Sequence, residues 1–284
     1  MKCGITNIGF YSPADPSTDE DSLTMAVEAT QGLDVSQVGA CYFGSETHPY
    51  EVKSSAAMLA GFTGMPENIF AADLEFACKA GTSAMQNVIA LVQAGKINSG
   101  LAVGADNPKA DPADPLSSSV KPGAVSVLIG NKDYFCEVVD YASVAMDIAD
   151  FWRAGDCEVP KHAGRFTGDG AYYKIVTKCY EALGASEFDH IVLHMPNEKF
   201  PRMMAEKLGI PQEKLEHSFT FEKTGNCFSA CSLMGLHGCL EKTKPGEKIV
   251  LISYGSGAGA DGFVLEVNEK ILDWQSNLVR RIWQ

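Results

Sequence analysis

The sequence has little positive charge and no long apolar run, and each shortage argues against a class of protein. Its 284 residues carry 23 Lys and Arg against 36 Asp and Glu, a net charge of −13, whereas proteins that bind nucleic acid without sequence preference need a basic face to displace counterions. No run approaches the roughly 20 apolar residues of a membrane span. The start, MKCGITNIGF, is typical of a strand rather than of a charged-then-apolar signal. We therefore expect a cytoplasmic protein that binds neither nucleic acid nor a membrane.

Signals for metal and nucleotide sites are also scarce. The nine cysteines are an odd number in a chain long enough to fold without disulfides, so reduced thiols are expected. Cys227, Cys231, His237 and Cys239 lack a CxxC spacing and fall within an apolar helical pattern, so we predict core packing and no metal site. The glycine-rich segment ISYGSGAGADGF follows a strand, but no GKS or GKT accompanies it, which argues against a phosphate-binding loop. No cofactor is predicted.

What the sequence does contain is an alternation of strands and helices. With 45% hydrophobic and 21% charged residues it is typical of a globular protein. Apolar strands such as QVGACYFG and SGLAVGAD alternate with helical patterns such as SSAAMLAGF and CKAGTSAMQNVIALVQAGKI, which predicts a mainly parallel sheet covered by helices. The long segments 107–123 and 154–170 are predicted as loops, the second long enough to be functional.

The same alternation recurs in the second part of the chain. A shift of 149 residues superposes Ala56 on Ala205, Leu59 on Leu208, Cys78 on Cys227 and Met85 on Met234. Together with the order of elements, these matches favour an internal duplication. We predict two halves, residues 1–145 and 146–284, in which Ser45-Glu46 and His194-Met195 occupy equivalent strand ends.

Cys78 is the first candidate for chemistry. It follows the apolar strand in DLEFACKAGTSAM and is predicted in the first turn of a helix, where free backbone N–H groups and the helix dipole favour a thiolate. The small residues after it, Ala80 to Ser83, let another backbone approach, as a nucleophile on a tight turn requires. The alternative is an inert core cysteine, the commoner role of a cytosolic thiol.

Three further segments place polar groups at strand or helix ends. His194 ends the apolar strand of HMPNEKFP, the edge where open α/β sheets build sites, and is able to hydrogen-bond a carbonyl or exchange a proton. Asn226 precedes a helix and is either a cap or a catalytic amide. Glu46 follows a strand in YFGSETHPY and is either a solvated surface carboxylate or, in the pocket of Cys78, an acid/base with a raised pKa. The turn at Gly255, Gly257 and Gly259 is predicted to approach the nucleophile.

Six motifs taken together resemble the thiolase superfamily, and specifically the archaeal type of 3-hydroxy-3-methylglutaryl-CoA synthase. They are GSETHPY, DLEFACKAGT, DFWR with PKHAGRFTG, HMPNEKFP, TGNCFSACSL and YGSGAGADGF, in order from about residue 19 to about residue 267. The resemblance implies two pseudo-symmetric βαβαβ halves in a five-layered α-β-α-β-α fold, and a homodimer. One departure is the short YSPADPST connection, which in the family is generally longer and here would open the acyl-CoA tunnel or alter the dimer edge.

The resemblance also implies an activity and a role for each candidate residue. The reaction is condensation of acetyl-CoA with acetoacetyl-CoA and water, a step of the mevalonate pathway to isoprenoids, with no metal. Cys78 would carry the acetyl group, Glu46 would remove a proton from its methyl, and His194 and Asn226 would bind and position acetoacetyl-CoA. The backbone N–H groups of Cys78 and of the turn near Ser256 would form the oxyanion hole.

Coenzyme A requires local positive charge on this acidic chain. The candidate contacts for its phosphates are Lys199 and Arg202, which follow His194 at i, i+3 spacing, and Lys161 and Arg165 in the long loop. For Arg202 a solvated helix face is an equally good reading. In the archaeal family the synthase occurs with a thiolase and an OB-fold protein that shares a CoA site, so both are expected partners.

Two alternatives stay open. A thiolase or ketoacyl synthase of the same superfamily would make a Claisen bond, but the resemblance assigns the carboxylate at Glu46 to the synthase. A non-catalytic scaffold would keep the fold and dock through the amphipathic tail KILDWQSNLVRRIW.

Overall fold

The computed structural model describes residues 1–15, 19–155 and 157–278, except for the side chains of Pro115 and Arg165. The strands are β1 Gly4–Tyr11, β2 Ala40–Gly44, β3 Phe70–Leu74, β4 Ser99–Asp106, β5 Gly123–Gly130, β6 Cys136–Ile148, β7 Phe151–Trp152, β8 Lys161–His162, β9 His190–Leu193, β10 Lys248–Ile252 and β11 Gly257–Val267. The α-helices are α1 Ser22–Thr30, α2 Ser55–Thr63, α3 Ala80–Gln93, α4 Tyr173–Leu183, α5 Lys199–Lys207, α6 Phe221–Thr224, α7 Cys231–Leu240 and α8 Ile271–Ser276. They confirm the main predicted elements, whereas the last five residues of the amphipathic tail, 279–283, lie outside the described residues.

Local chemistry explains several element boundaries. Asp21 caps α1 by accepting a hydrogen bond from the Thr24 N–H, and Thr24 bonds back to the cap. Ser54 caps α2 in the same way, and α2 ends at Gly64 in the left-handed conformation that glycine adopts without a Cβ clash. The capping side chains Asp21 and Ser54 therefore determine where these two helices begin.

The nine longer strands form one sheet in the order β3-β2-β4-β5-β1-β6-β11-β10-β9. The two halves of this sheet, β3-β2-β4-β5-β1 and β6-β11-β10-β9, meet at its centre. There β1 and β6 form a short pairing of Gly4 with Glu137 and of Ile5 with Cys136. The strand order on one side, β3-β2-β4-β5-β1, is repeated in reverse on the other as β6-β11-β10-β9. Among the described residues, the second half has no strand equivalent to β3, and a 3₁₀ segment at Gln212–Ser218 packs against β9 there.

Three apolar cores lie between the helices and the two halves of the sheet, called half-sheets below. One lies between α1, α2 and the first half-sheet, and another lies between α4, α5 and the second. The third contains α3 and α7 between the two half-sheets, and α7 is buried at all ten positions. This stacking is α-β-α-β-α, which confirms the five-layered duplicated fold.

The expectation of a mainly parallel sheet is wrong. Only β2–β3, β2–β4 and β9–β10 pair in parallel. The remaining neighbours are antiparallel because β5 and β11 each run back against the strand beside them. The sheet is therefore mixed, which periodicity alone does not reveal since buried strands of either kind read as apolar runs.

The predicted division at residues 145 and 146 falls inside β6, which pairs along most of its length with β11. The strand order by itself favours a boundary ahead of β6. The division into two domains stays a prediction. Within the described residues, no helix is long and apolar enough to span a membrane.

Candidate active site

Cys78 lies on a tight turn between β3 and α3. Ala77 has φ of +46°, and the N–H of Lys79 donates to the carbonyl of Phe76, so the chain reverses before the helix begins at Ala80. A non-glycine residue with positive φ is uncommon and often marks a functional turn. Cys78 therefore precedes the helix by two residues rather than lying in its first turn.

The small residues after Cys78 allow the predicted close approach. A Cβ atom added at Gly81 would lie 2.6 Å from the carbonyl oxygen of Ser229, and one added at Gly44 would lie 2.3 Å from the carbonyl of Ala80. The start of α3 is thus held against β2 and against the segment leading into α7, with no space for larger side chains.

Cys78 opens into a cavity of about 580 Å³ between the two halves. Its walls include His194, Asn226, Ser256 and Lys199. This volume is within the range of cavities that bind small molecules, roughly 300–1,000 Å³. Four of the predicted catalytic and oxyanion-hole residues and one predicted CoA contact therefore share one cavity, although they come from widely separated parts of the sequence.

Glu46 lies on the other side of the thiol. It lines a second cavity of about 180 Å³, which shares Phe151, Phe228 and Ser256 with the first. Its carboxyl is close enough to the Cys78 thiol to raise the pKa of that thiol, and its Oε1 atom is buried with no hydrogen-bond partner among the described residues. The thiol, the carboxyl and the imidazole thus lie around two adjoining cavities between the half-sheets.

Burial determines the ionisation of this pair. Desolvation, followed by the charge of Asp106, raises the pKa of Glu46 to about 8, although hydrogen bonding to Cys78 and the charge of Arg153 act in the opposite direction. Desolvation and the neighbouring Glu46 raise the pKa of Cys78 well above its usual value. Burial and the nearby carboxylate therefore act against the thiolate that a position near the helix start was predicted to favour.

The raised pKa of Glu46 predicts a pH-dependent stability. Between about pH 4.5 and 8 the folded protein keeps a proton that the unfolded chain has released, so this residue's stabilising contribution is present at low pH and is lost as the pH rises towards 8. We expect the free energy of unfolding of Glu46→Gln, relative to that of the wild type, to increase over this interval by up to about 5 kcal/mol. Denaturant titrations at several pH values measure it. The exposed Glu187→Gln serves as the control, and an equal pH trend in both variants would contradict the assignment.

His194 is 1% exposed and directly follows β9, at the strand end where it was predicted. Its N–H donates to the carbonyl of Ile252, and its own carbonyl accepts from the Tyr172 hydroxyl at 2.7 Å. Burial lowers the pKa of His194 to about 3, so the ring is neutral near pH 7. A neutral imidazole next to the cavity donates a single N–H hydrogen bond and does not bring a charge into an apolar site.

Asn226 is fixed by backbone contacts with the loop between β4 and β5. Its N–H donates to the Ser119 carbonyl at 2.7 Å, and its carbonyl accepts from the Lys121 N–H. Its side-chain oxygen accepts from the Phe228 N–H at 3.1 Å. The residue is therefore both the turn former and the cavity residue that the sequence left as alternatives.

The glycine-rich segment forms the predicted strand-to-strand turn beside the nucleophile. Gly255 and Gly259 exchange two backbone hydrogen bonds, and a Cβ atom added at Gly255 would lie 2.5 Å from the carbonyl oxygen of Phe76. Ser256 lies at the tip of this turn and lines both cavities. The turn therefore places its backbone directly against the Cys78 turn.

This contact predicts a severe effect for Gly255→Ala. A methyl group there collides with backbone that has no room to move, so we expect loss of stability of about 2 kcal/mol or more and Cys78 acetylation slowed by at least about 10-fold. Gly61→Ala is the matched control, because a Cβ at Gly61 in α2 meets nothing within 4 Å. Thermal unfolding and acetylation kinetics of both variants test this, and wild-type behaviour of Gly255→Ala would contradict the packing.

The candidate CoA contacts are divided by the structure. Lys199 lines the large cavity at the start of α5. Arg202 instead stacks on the Phe219 ring at 4.1 Å, and Lys161 is exposed on the short strand β8; neither lines the two cavities. Arg165 lies in a 3₁₀ turn at Gly164–Phe166, with its side chain outside the described residues.

Two buried aspartates that sequence analysis missed organise the site. Asp106 accepts hydrogen bonds from Ser45, Thr47 and Ser229 and from the N–H of Glu46 at 2.8 Å. Asp150 accepts from the Tyr254 hydroxyl and from the Gly257 N–H. The available signal was an aspartate at the end of the apolar segment GLAVGAD and another at the start of DFWR. The hydrogen-bond partners of these two aspartates are mostly distant in sequence.

Acidic, histidine and cysteine side chains do not cluster for metal binding in the described part of the chain: no group of three or more is placed to hold an ion. Cys227, Cys231 and Cys239 are buried free thiols, and His237 is 2% exposed between the Phe10 and Trp274 rings. They belong to the central core that surrounds α7.

Comparison with known folds assigns the class. The sequence model of the family described as 3-oxoacyl-(acyl-carrier-protein) synthase III C terminal matches residues 181–267. A crystal structure of HMG-CoA synthase complexed with CoA superposes with a TM-score of 0.87 at 21% identity, covering 98% of this chain and 86% of that one. The structure of MvaS in complex with 3-hydroxy-3-methylglutaryl coenzyme A gives 0.85 at 18% identity, covering 97% and 86%. The chain therefore has the thiolase fold.

Curated relatives identify the family within that class. Hydroxymethylglutaryl-CoA synthase of Methanopyrus kandleri is 41% identical over 268 residues, which are 90% of this chain and 77% of that protein. The synthase of Archaeoglobus fulgidus is 38% identical over 289 residues, covering 98% and 83%. The chain belongs to the hydroxymethylglutaryl-CoA synthase family.

Proposed function

We propose that this protein condenses acetyl-CoA with acetoacetyl-CoA and water to form 3-hydroxy-3-methylglutaryl-CoA and CoA. The observation that carries the proposal is the placement of the Cys78 thiol in one cavity with His194, beside a second cavity lined by Glu46, whose carboxyl raises the thiol pKa. A nucleophile, an acid/base and a neutral hydrogen-bond donor are the three groups that an acyl-enzyme aldol condensation requires. Membership of the synthase family supports the same reaction.

The first step transfers the acetyl group. The Cys78 sulfur attacks the thioester carbonyl of acetyl-CoA and loses its proton, the bond from carbonyl carbon to CoA sulfur breaks, and the proton leaves with CoA as its thiol. The oxyanion is stabilised by the backbone N–H of Cys78 and by the turn near Ser256, which the packing at Gly255 holds in place. The product is acetyl-Cys78.

The second step forms the carbon–carbon bond. Glu46, as the carboxylate, removes a proton from the acetyl methyl, and the resulting carbanion attacks the ketone carbon of acetoacetyl-CoA. His194 donates a hydrogen bond to the ketone oxygen, and Asn226 positions the same substrate. A carboxyl with a pKa near 8 is a strong enough base for this transfer and is able to return the proton to the alkoxide.

Hydrolysis completes the turnover. A water adds to the thioester carbonyl on Cys78, the carbon–sulfur bond breaks, and the carboxylic acid is released while the sulfur regains a proton. The groups of this chain and the CoA thioesters account for every step, so we propose no cofactor and no metal. Lys199 is the proposed phosphate contact at the cavity wall.

Product analysis separates the synthase from its alternatives. We expect acetyl-CoA and acetoacetyl-CoA together to give 3-hydroxy-3-methylglutaryl-CoA, identified by mass spectrometry. Acetoacetyl-CoA formed from acetyl-CoA alone would instead identify a thiolase. Failure of the intact protein to gain an acetyl group would identify a scaffold.

A homodimer is part of the proposal, and the edge strand β3 supports it. β3 pairs only with β2, so its other edge is unpaired within the described chain. Phe70 on this strand and Phe62 on the adjacent α2 are 51% and 70% exposed, and an open apolar edge of this kind is usually covered. We expect a mass of two chains in solution and, for Phe70→Asp, a shift towards one. A wild-type protein of monomeric mass would contradict this.

The remaining proposals follow from the family. The product would feed the mevalonate pathway to isoprenoids in the cytoplasm, and a thiolase and an OB-fold CoA-binding protein are the proposed partners. Co-purification of the full chain with either protein tests the assembly.

A further inference from the structure

A buried ion pair lies directly beside the nucleophile, and neither of its two residues lines the cavities. Lys79 follows Cys78, and its Nζ atom lies 2.9 and 3.0 Å from the two carboxylate oxygens of Asp261 on β11. The two side chains are 7% and 0% exposed. Since removing two charges from water costs several kcal/mol per ion, a pair of apolar residues of similar size is often at least as stabilising.

Asp261 joins three elements around this pair. Its carboxylate accepts hydrogen bonds from Thr82 at 3.0 Å and Ser83 at 2.9 Å in the first turn of α3, and from Ser143 on β6. Its backbone exchanges hydrogen bonds with Ser253 at the end of β10. The carboxylate therefore connects the helix that follows Cys78 to the two strands that carry the glycine-rich turn and to the neighbouring strand.

The side chain of Lys79 also lies between the backbone of the Cys78 turn and the backbone of the glycine-rich turn. A Cβ atom at Gly255 would lie 2.8 Å from its Cγ, and one at Gly259 would lie 2.9 Å from its Cε. Its Nζ is 4.4 Å from the centre of the Phe76 ring. The aliphatic part of Lys79 is thus packed between the Cys78 turn and the glycine-rich turn, and its charged end is held by Asp261.

We propose that Lys79 and Asp261 are positioning residues that set the separation between the two sides of the oxyanion hole, the backbone at Cys78 and the turn at Ser256. The inference rests on the proposed function and extends it to residues that do not touch the substrate. Donors that are already in position stabilise an oxyanion without reorganisation, and loss of a single donor reduces rates by about 100- to 1,000-fold. A displacement of a few tenths of an ångström at either backbone therefore changes catalysis.

The test compares Lys79→Met, Asp261→Leu and the double variant. Each single variant leaves a buried charge without its partner and should unfold more easily, whereas the double variant should regain most of the wild-type stability. For the double variant we expect Cys78 acetylation by acetyl-CoA to stay about 100-fold slower, with the KM for acetyl-CoA within about 3-fold. Alkylation of Cys78 by iodoacetamide forms no oxyanion, so its rate should also stay within about 3-fold of the wild type.

Several results would overturn the inference. If the double variant recovers both stability and the acetylation rate, the ion pair has a structural role only. If acetylation and alkylation slow equally, the variant has changed the reactivity of the Cys78 thiol and not the oxyanion hole. If the double variant does not fold, Ser143→Ala decides the question, because this residue is exposed and donates one hydrogen bond to Asp261. We expect acetylation slowed by about 5-fold with alkylation unchanged, against no change for Ser99→Ala on β4, and unchanged acetylation in Ser143→Ala would contradict the proposal.

The wild type separates this inference from the proposed function. Wild-type protein that gains no acetyl group would contradict both. Wild-type protein that is acetylated, beside a double variant acetylated equally fast, would contradict the positioning role alone.

Discussion

Replacement of Cys78 by serine is expected to abolish acetylation by acetyl-CoA and to reduce condensation by at least about 1,000-fold. A hydroxyl in the same place is a much weaker nucleophile than a thiol, because it is far less acidic and rarely loses its proton near pH 7. Intact-protein mass spectrometry measures acetylation, and product formation measures condensation.

The control for this variant is Cys157→Ser. Cys157 is a half-buried thiol outside both cavities, so its loss should leave acetylation and condensation at wild-type levels. An acetyl group that still attaches to Cys78→Ser at the wild-type rate would show that the nucleophile is elsewhere in the chain.

Replacement of Glu46 by glutamine should divide the two half-reactions. Acetylation of Cys78 should slow by less than about 10-fold, because the charge that raises the thiol pKa is lost together with the carboxyl. Condensation should slow by about 1,000-fold, within the usual range for loss of a general base. Rapid-quench measurements of acetylation and of product formation, made on the same protein, give both rates.

Glu75→Gln is the matched control for Glu46→Gln. Glu75 lines the same small cavity but is exposed, so both half-reactions should continue at wild-type rates. Normal condensation by the Glu46 variant would refute its assignment as the base.

The sequence predicts those parts of the site that depend on local pattern. The turn at Cys78, the end of β9 at His194 and the glycine-rich turn each follow from an apolar strand with small or polar residues after it. The internal shift of 149 residues anticipates the repeated strand order and the placement of Glu46 and His194 at equivalent strand ends. The three turns and strand ends were predictable because each is encoded within about ten consecutive residues, and the repeated order was predictable because the two halves can be compared with each other.

The features that the sequence did not predict depend on contacts between distant segments. Asp106 reaches Ser229, and Lys79 reaches Asp261, across the interface of the two halves. The side chain of Arg202 follows the Phe219 ring, which no spacing rule indicates. The high thiol pKa of Cys78 has the same origin. Burial and the Glu46 carboxyl raise it, and both depend on segments that the fold brings to the thiol from elsewhere in the chain.

The most direct test of the account is a single turnover of pre-acetylated protein. The protein is acetylated with isotopically labelled acetyl-CoA, separated from the free thioester and mixed with acetoacetyl-CoA. We expect the label to leave Cys78 and to appear in 3-hydroxy-3-methylglutaryl-CoA in equal amount, and to remain on the protein in the Glu46→Gln variant. The proposal that Cys78, Glu46 and His194 act on one pair of substrates would be contradicted if the labelled acetyl thioester persisted on Cys78 of the wild type and no labelled product formed.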